Sequence, residues 1–248
     1  MEQRFHIGEI ADLLEIPASK LRYWESQGLL RCDREPENAY RQYTVSDLMT
    51  LSDLSFYRNL GLSVRQVAKL DSMALEEHQQ MCRRQITALL EQRRTLIRQQ
   101  QRLERYLQAL ETIEELRRHP FVPAVIDTAC IVAFSLTDTT LLKQYTQNPY
   151  LYSRVQDSAD LSKEQRGLTV PPETVGTGAD ILWQDHGGTY VAALMRETVQ
   201  PDYPNDLAAV LATVQREYST GIVISRFLAR AREDGVLYDF YKCYVEIV

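Results

Sequence analysis

The 248-residue sequence is poor in cysteine and has no long apolar segment. Its four cysteines, Cys32, Cys82, Cys130 and Cys243, lie far apart and form no CxxC pair. This spacing argues against a disulfide framework and against a zinc or iron–sulfur site. No apolar run approaches the ~20 residues that a membrane helix needs, and the N-terminus lacks the basic-then-apolar pattern of a signal peptide. We therefore expect a cytoplasmic protein that has no membrane partner and needs no cofactor.

An excess of positive charge is also lacking, because the formal net charge is −6. Residues 1–118 hold 18 Lys and Arg against 18 Asp and Glu, whereas residues 119–248 hold 10 against 16. All of the excess negative charge therefore lies in the C-terminal half. We expect nucleic acid to avoid that half and a cation to be attracted to it.

Two short helices are predicted on either side of a tight turn near the N-terminus. Apolar residues recur at helical spacing in residues 7–14, and Pro17 ends this helix because the residue before a proline avoids helical backbone angles. Ser19 begins a second helix, which stops at Gly28. The arrangement is a helix-turn-helix. Its second helix carries polar side chains that suit base edges and phosphates in a major groove: Ser19, Lys20, Arg22 and Tyr23.

A basic and aromatic segment follows the second helix. After a turn at Pro36-Glu37-Asn38, aromatic residues alternate with polar or basic ones in the run Tyr40, Arg41, Gln42 and Tyr43. The alternation predicts a β-wing that touches backbone phosphates. Any amphipathic helix pair exposes polar residues, so the helices alone leave DNA binding undecided, and the wing favours it.

A long amphipathic helix is predicted over residues 76–119. Apolar residues recur there every seven positions: Leu75, Cys82, Leu89, Leu96, Leu103 and Leu110. A sustained leucine seam needs burial, so we expect a coiled coil of about six heptads, roughly 60 Å long at ~1.5 Å per residue. Periodicity does not reveal strand direction, and a long helix inside one globular domain is the alternative.

The composition changes in residues 120–248, where β-branched residues become frequent. Residues 124–136 are expected to form a strand. Asp138 is expected to cap a helix that ends before Pro149, and residues 150–156 are expected to form a second strand.

A similar run of elements follows. Residues 181–184 and 189–197 flank a Gly-Gly turn, which predicts a hairpin. Asn205 is expected to cap a helix, and a last hairpin with a longer turn lies within residues 221–248. The order is roughly β-α-β-β twice. We therefore expect an antiparallel sheet with two helices on one face and a ligand groove on the other face.

The N-terminal sequence resembles the MerR family of transcription regulators. The similarity lies in the strings IGEIADLLEIPASKLRYWESQGLL, YRQY and LSFYRNLGLSVRQV, almost unbroken over residues 5–70. It implies a winged helix-turn-helix with a second, helical wing over residues 46–59, which Ser46 would cap. Gly61 would end that wing, and Ser63 would cap a short helix after it. The resemblance also implies DNA contacts by Arg22, Tyr23, Arg41 and Tyr43, with Lys20 and Arg58 as further candidates.

The same resemblance implies an antiparallel helix pair, and hence a two-fold homodimer that binds a palindromic operator in double-stranded promoter DNA. It implies an activator that bends and untwists the centre of the operator, so that RNA polymerase holoenzyme can use the promoter. The chain is predicted to be α+β and multidomain. Its predicted domains are a winged helix-turn-helix (1–75), a coiled-coil dimerisation helix (76–119) and a ligand-binding domain (120–248).

The order and length of the C-terminal elements resemble the GyrI-like effector domain of the multidrug-sensing, BmrR-like branch of that family. This implies a bulky, lipophilic, cationic ligand. The strand GIVISRFL carries Arg226 and no acid, whereas those relatives place a glutamate there, so the carboxylate that pairs with a cation must lie elsewhere. Glu197 and Asp239 are the first candidates, ahead of Asp127 and Glu246. Aromatic faces also attract cations. The predicted ligand-binding residues are Tyr150, Tyr152, Trp183, Met195, Glu197, Tyr203, Tyr238 and Asp239.

Three other functions remain as alternatives. A metal- or redox-sensing regulator of the same family would need paired thiolates near the end of the long helix, and no Cys lies in residues 83–129. A GyrI-like domain with weak hydrolase activity would need a nucleophile–base pair, which the spacing of the four histidines does not suggest, so we expect no enzyme. A repressor or architectural protein without a ligand is disfavoured by the large C-terminal half.

Overall fold

The computed structural model describes residues 3–30, 32–35, 39–135, 137–175, 178–199 and 202–248. The chain forms two compact units, Met1–Ile97 and Arg98–Val248. Helices dominate the first unit and an antiparallel sheet dominates the second, which confirms the predicted α+β multidomain class. The turn predicted at residues 36–38 and the end of the strand predicted at Leu136 lie outside the described residues.

The first unit holds a small sheet and several short helices. Its elements are β1 (Arg4–His6), α1 (Ile7–Leu13), α2 (Ala18–Ser26), β2 (Asp33–Arg34), β3 (Arg41–Thr44), α3 (Val45–Asn59), α4 (Val64–Val67) and α5 (Leu75–Arg118), which continues into the second unit. The strands lie in the order β1-β3-β2 and are antiparallel. We call the part of this unit that precedes α5 the head.

The helices α1 and α2 form the predicted helix-turn-helix. The second helix begins at Ala18, one residue before the predicted Ser19, because Pro17 already has extended backbone angles at the N-cap position. Leu21 and Trp24 of α2 are buried in the core of the head, where they pack with residues of α1, β3 and α3. One face of α2 is therefore fixed against the core, and the opposite face is left for solvent.

The start of α3 corrects one predicted helix cap. Thr44 is the N-cap residue, because its hydroxyl accepts a hydrogen bond from the backbone N–H of Asp47 at 3.2 Å. The Asp47 carboxylate accepts the backbone N–H of Thr44 at 2.7 Å, which completes a capping box. Ser46, the predicted cap, lies inside the first turn, since β3 runs directly into the helix. Ser63 caps α4 as predicted, and Gly61 follows α3 with a φ of 84°.

One uninterrupted helix, α5, covers the predicted coiled-coil segment except for its last residue, His119. Its 44 residues span roughly 66 Å at ~1.5 Å per residue. Met81 near its beginning packs into the core of the head, and Ile113 near its end is buried in the second unit. Between these points the seven-residue seam stays exposed, with 48% of Leu89, 64% of Leu96 and 68% of Leu103 open to solvent. The single chain therefore leaves the leucine seam uncovered.

The second unit is built on an eight-stranded antiparallel sheet. Its further elements are β4 (Val122–Ala124), β5 (Cys130–Ala133), α6 (Thr139–Gln147), β6 (Tyr152–Asp157), β7 (Asp160–Thr169), β8 (Ile181–Gln184), β9 (Thr189–Thr198), α7 (Leu207–Val214), β10 (Thr220–Glu233) and β11 (Val236–Ile247). The strands lie in the order β4-β9-β11-β10-β6-β7-β5-β8.

Two β-α-β-β repeats make up most of this sheet, in agreement with the predicted order of elements. They are β5-α6-β6-β7 and β9-α7-β10-β11. In each repeat the third strand lies between the first and the second, and the repeats join where β6 pairs with β10. The short strands β8 and β4 extend the two outer ends.

Strand pairing corrects three predictions. The segment predicted to be one strand from residue 124 onward instead holds the last residue of β4, Ala124, and the separate strand β5, and Val125 between them is 91% exposed. The strands β8 and β9 do not form a hairpin, because β8 pairs with β5 and β9 pairs with β11. The last hairpin has a two-residue turn, Asp234 and Gly235, both with positive φ, which is the geometry that matches strand twist in tight hairpins.

The connection from β8 to β9 requires the sheet to curve strongly. The two strands are six positions apart, which is about 29 Å in a flat sheet at ~4.8 Å per strand. The chain from Gln184 to Thr189 reaches at most about 18 Å. The two ends of the sheet must therefore approach each other. Accordingly, Trp183 of β8 and Tyr190 of β9 pack in one buried cluster.

Different helices cover the two faces of the sheet. Successive side chains of β11 point to opposite faces of the sheet. On one face, Tyr241, Cys243 and Val245 share a core with α7. On the other face, Phe240 packs with Ile113 of α5. The groove predicted on a helix-free face is therefore wrong, because α5 packs on that face.

Candidate DNA-binding surface and ligand cavity

The outward face of α2 carries the residues predicted to contact DNA. Ser19, Arg22 and Tyr23 are exposed, and half of the Tyr23 surface is open to solvent. Lys20 is half-buried, with its ammonium 5.2 Å from the centroid of the Trp24 ring. Because Trp24 fixes the inner side of the helix, these donors lie together on one accessible surface.

In the wing, Arg41 is tied to the end of α2. Its Nε donates to Oε2 of Glu25 at 2.6 Å. Arg34 lies opposite Arg41 in the β2–β3 pair, with Nη2 3.8 Å from Oε1 of the same carboxylate. Burial raises the pKa of Glu25, but hydrogen bonds from Arg41 and Cys32 and the charges of both arginines outweigh it and lower that pKa overall. Sequence reasoning missed Arg34, although a basic residue just before a predicted turn signals a hairpin arm.

Three other residues predicted to contact DNA differ in accessibility. Tyr40 is 66% exposed. Tyr43 is fully buried in the core of the head, because strand alternation turns its ring inward, and the predicted DNA contact is corrected on that ground. Burial also raises the pKa of Tyr43 to about 12. Arg58 is half-buried and donates to the carbonyl oxygen of Leu62, so it ties the end of α3 to the loop that follows.

The second unit contains a cavity of about 1110 Å³, which is large enough for a drug-sized molecule. Four of the predicted ligand residues line it: Tyr152, Glu197, Tyr203 and Asp239. The lining also includes aromatic side chains from α6, β10 and β11, among them Tyr145, Phe227 and Tyr241. The structure therefore brings half of the predicted ligand residues into one site.

Two arginines form ion pairs with the two carboxylates that were predicted from the sequence to bind a cationic ligand. Arg154 donates through Nη1 and Nη2 to the two oxygens of Glu197, at 2.6 and 2.7 Å. Arg230 donates through Nε and Nη2 to the two oxygens of Asp239, at 2.7 and 2.8 Å. The first pair is buried, with 6% of Arg154 and 3% of Glu197 exposed, whereas half of the Arg230 side chain is open to solvent.

Aromatic rings also surround the guanidinium of Arg154. It lies 4.5 Å from the ring centroid of Tyr241 and 5.8 Å from that of Tyr152. Its Nη2 donates to the Tyr241 hydroxyl at 2.8 Å, and its Nη1 lies 3.3 Å from Oε2 of Glu164. Burial lowers the pKa of Arg154, but the hydrogen bonds to Glu197 and the nearby acidic groups outweigh it and raise the pKa above its usual range. Burial raises the pKa of Tyr241.

Sequence reasoning missed the arginines of this cavity, which are Arg154, Arg166 and Arg230. A signal was present on β6, because Tyr152 and Arg154 are two residues apart and therefore share a face of the strand. The identity of their partners was not accessible from the sequence, since Glu197 is 43 residues away from Arg154.

Two predicted ligand residues, Trp183 and Met195, belong to the buried core instead. Trp183 lies on β8 and packs with Tyr190 and Tyr244 in the cluster that joins the ends of the sheet. Met195 shares a face of β9 with Glu197, as predicted, but it is fully buried beneath α7. Strand pairing and helix packing therefore remove both from the cavity lining.

Tyr238 and Tyr150 also lie outside the cavity. Tyr238 lies beside Phe240 on the face that α5 covers. Tyr150 belongs to a 3-10 turn, Pro149–Leu151, rather than to β6.

A continuous series of rings nevertheless leads from the cavity through Tyr150 to α5. The centroid distances are 5.7 Å between Tyr241 and Phe227, 6.1 Å between Phe227 and Tyr150, and 6.4 Å between Tyr150 and Tyr106 of α5. We call these four residues the aromatic series.

The two further candidates for the carboxylate that pairs with a cationic ligand, Asp127 and Glu246, also have hydrogen-bond partners within the protein. Asp127 accepts from Arg226. Glu246 accepts the backbone N–H of Ile222 and lies 2.7 Å from Nε2 of His186. Neither lines the cavity.

Among the described residues, no group of three or more His, Cys, Asp and Glu side chains could hold a metal ion. In the same part of the chain, none of the helices is both long and apolar enough to cross a membrane.

The sequence matches known regulators in its N-terminal part. The family model described as MerR HTH family regulatory protein matches residues 5–73. The chain is 31% identical over 78 residues to the HTH-type transcriptional regulator ZntR of Escherichia coli (strain K12), which covers 32% of this chain and 55% of ZntR. It is 30% identical over 107 residues to a probable heavy metal-dependent transcriptional regulator of Haemophilus influenzae, which covers 43% of this chain and 82% of that protein. The chain thus spans about half the length of ZntR.

Two solved structures are also similar to this chain. One is HiNmlR, a MerR family regulator lacking the sensor domain, bound to promoter DNA; it is 25% identical, with a TM-score of 0.35 over 46% of this chain and 95% of that chain. The other is an EcmrR–DNA complex determined by cryo-EM; it is 16% identical, with a TM-score of 0.38 over 98% of this chain and 100% of that chain.

Proposed function

Because the chain belongs to the MerR family of helix-turn-helix regulatory proteins, we propose that it is a DNA-binding transcription regulator that acts on promoter DNA with RNA polymerase holoenzyme. The observation that carries the proposal is the accessible face of α2, where Ser19, Arg22 and Tyr23 are exposed beside a wing that holds Tyr40 and Arg41. Such a helix fits the major groove of B-DNA, while the wing reaches flanking phosphates.

The exposed seam of α5 supports a homodimer. Leucines at seven-residue intervals that are exposed in one chain are stabilised by burial against a second copy. An antiparallel pair has two-fold symmetry, so its two heads would bind a palindromic operator. Replacing Leu96 by lysine is expected to shift the protein from dimer to monomer in analytical ultracentrifugation. Thr95→Lys, on the neighbouring position, serves as the control.

The proposed effector is a lipophilic cation bound in the cavity. Aromatic rings line the cavity and attract cations through their quadrupoles, by about 0.5–2 kcal/mol each. The lining contains four carboxylates and three arginines, which leaves a slight excess of negative charge: Glu164, Glu197, Asp202 and Asp239 against Arg154, Arg166 and Arg230.

Activation requires that the cavity and α5 respond together. The aromatic series gives the ligand a route of side-chain contacts from Tyr241 to Tyr106 of α5. A ligand that binds the active form more tightly than the resting form shifts the dimer toward the active one. The active form would bend and untwist the operator, so that activation depends on the shape of the DNA.

A metal-responsive regulator is the second candidate. The observation in its favour is the similarity to the relative from Haemophilus influenzae, which is a probable heavy metal-dependent transcriptional regulator. The two candidates differ in what they respond to. Transcription in vitro with added Zn²⁺ or Cu⁺, compared with the organic cations benzamidine and tetraphenylphosphonium, separates them.

The DNA-binding proposal is tested by selecting sites from random duplex DNA with the full-length protein. We expect a palindromic sequence to be enriched, and Arg22→Ala to abolish the enrichment. Recovery of DNA without any shared sequence would contradict a sequence-specific regulator.

A further inference from the structure

We propose that the side chain of Arg154 fills the cation subsite, which is the part of the cavity where a cationic effector would bind. The cavity therefore selects planar cations with paired N–H donors, such as aromatic amidines and guanidines, over quaternary ammonium and phosphonium ions. The inference rests on the proposed function of the cavity as an effector site. It starts from the contacts of Arg154, which are those expected of a bound cation: a carboxylate, an aromatic face and a hydroxyl.

Glu197 sets the geometry of the subsite. Both of its oxygens are occupied by the two parallel N–H donors of Arg154, and Nδ2 of Asn205 lies 3.5 Å from one of them. Only 3% of Glu197 is exposed, so water has little access to it. A ligand that reaches this carboxylate must therefore displace Arg154 and supply replacement donors.

The chemistry of the replacement decides which cations bind. A buried carboxylate that loses its partner is strongly destabilised. An amidinium presents two N–H groups in one plane and reproduces the paired hydrogen bonds of Arg154 to Glu197. A quaternary ammonium or phosphonium ion has a positive charge but no N–H, so it cannot replace the two hydrogen bonds that Arg154 donates to Glu197. A flat amidinium also fits the space that the Arg154 guanidinium fills over the Tyr241 ring.

Glu164 offers the displaced arginine a second carboxylate. Its Oε2 already lies 3.3 Å from Nη1 of Arg154, while its Oε1 accepts from Nε of Arg166 at 2.8 Å. The side chain of Glu164 is 21% exposed, against 4% for Glu197, so an ion pair at Glu164 is better solvated. Arg154 can therefore leave Glu197 without losing a carboxylate partner altogether.

The test measures binding to the full-length protein by isothermal titration calorimetry with two matched cations. Benzamidine and phenyltrimethylammonium share a ring and a charge and differ in their N–H donors. We expect benzamidine to bind the unmodified protein about tenfold more tightly or better, as charge-assisted hydrogen bonds provide. Glu197→Gln is expected to remove this preference.

The role of Arg154 is tested in the same assay. Arg154→Met removes the competitor, so both cations are expected to bind about tenfold more tightly or better. Arg196→Met serves as the control, because Arg196 lies on β9 and pairs with Asp206 outside the cavity lining. If Arg154→Met does not fold, Arg154→Lys keeps the charge but loses the paired donors, and it is expected to strengthen benzamidine binding to a smaller extent.

The outcomes separate this inference from the function on which it rests. Equal affinity of the two cations for the unmodified protein would overturn the selection of N–H donors. Unchanged affinities in both Arg154 variants, or tighter binding in Arg230→Met alone, would overturn the role of Arg154 and move the subsite to Asp239. If neither cation nor tetraphenylphosphonium binds the unmodified protein or Arg154→Met, the proposed cationic effector itself is overturned.

Discussion

Nε of Arg41 in the wing donates a hydrogen bond to Oε2 of Glu25 at the end of α2, at a distance of 2.6 Å. The bond fixes the wing to the proposed recognition helix across 16 residues of sequence. It also offsets part of the positive charge of Arg41. Arg22 makes no ion pair with any of the described residues, so the two arginines should differ in what they contribute to DNA affinity.

The first prediction concerns the salt dependence of DNA binding. Arg22→Ala is expected to reduce the slope of log K against log salt concentration by about 1, the value for one lost phosphate contact. Arg41→Ala is expected to reduce it by less, because Glu25 already neutralises part of its charge. Fluorescence anisotropy between about 50 and 200 mM salt measures the slope. Arg216→Ala in the second unit is the control, and equal slopes for the two head variants would contradict the prediction.

The second prediction concerns stability against pH. The folded-state pKa of Glu25 lies below the ordinary value of 4.5, so the folded protein holds the ionised carboxylate more strongly than the unfolded chain does. This stabilisation is fully present above pH 4.5 and is lost as the pH falls through the lowered pKa. Glu25→Gln should therefore lower the melting temperature at pH 7, and the difference from the unmodified protein should shrink in acid. A difference that stays constant down to pH 3 would refute the assignment.

The third prediction distinguishes two candidate caps of α3. Thr44→Ala is expected to lower the free energy of unfolding by about 0.5–2 kcal/mol, because it removes the acceptor for the backbone N–H of Asp47. Ser46→Ala is expected to change it by less than about 0.5 kcal/mol. Urea denaturation of the two variants measures both values. A larger loss in Ser46→Ala would restore the cap predicted from sequence.

The fourth prediction tests whether Met195 belongs to the core or to the ligand site. Its side chain is fully buried beneath α7, so Met195→Ala is expected to lower the free energy of unfolding by about 2–5 kcal/mol. Met195→Leu conserves volume and is expected to cost less than about 1.5 kcal/mol. Benzamidine affinity should remain unchanged in Met195→Leu. A loss of affinity without a loss of stability would place Met195 in the ligand site.

The fifth prediction concerns the aromatic series. Tyr106→Ala removes its last ring, on α5, and leaves the cavity lining intact. Ligand affinity is expected to stay within about twofold, while activation of transcription by the ligand falls strongly, since coupling needs a contact between the two elements. Tyr218→Ala removes a ring of similar exposure elsewhere and is the control. Normal activation in Tyr106→Ala would exclude this route.

The sequence determined the parts of the fold that depend on nearby residues. Helical periodicity, prolines and glycines predicted α1, α2 and α5, and Asp138 was correctly expected to cap α6. Such signals act within a few residues, so they are legible without the fold. The alternation on β9 likewise placed Met195 and Glu197 on one face. It did not reveal which of the two would line the cavity, because α7 packs over Met195 and leaves Glu197 at the cavity wall.

Only the tertiary structure decided how distant segments meet. The Gly-Gly turn before β9 has the composition of a hairpin, but hydrogen bonding to β5 and β11 separates the strands on either side of it. Tyr43 has the chemistry of a DNA contact, but packing of the head turns it inward. Arg154 meets Glu197 and Tyr241 from 43 and 87 residues away, because β6 joins the two repeats beside β10. Strand order, which no local pattern encodes, therefore converts the predicted acidic partner of a ligand into a carboxylate already held by the protein's own cation.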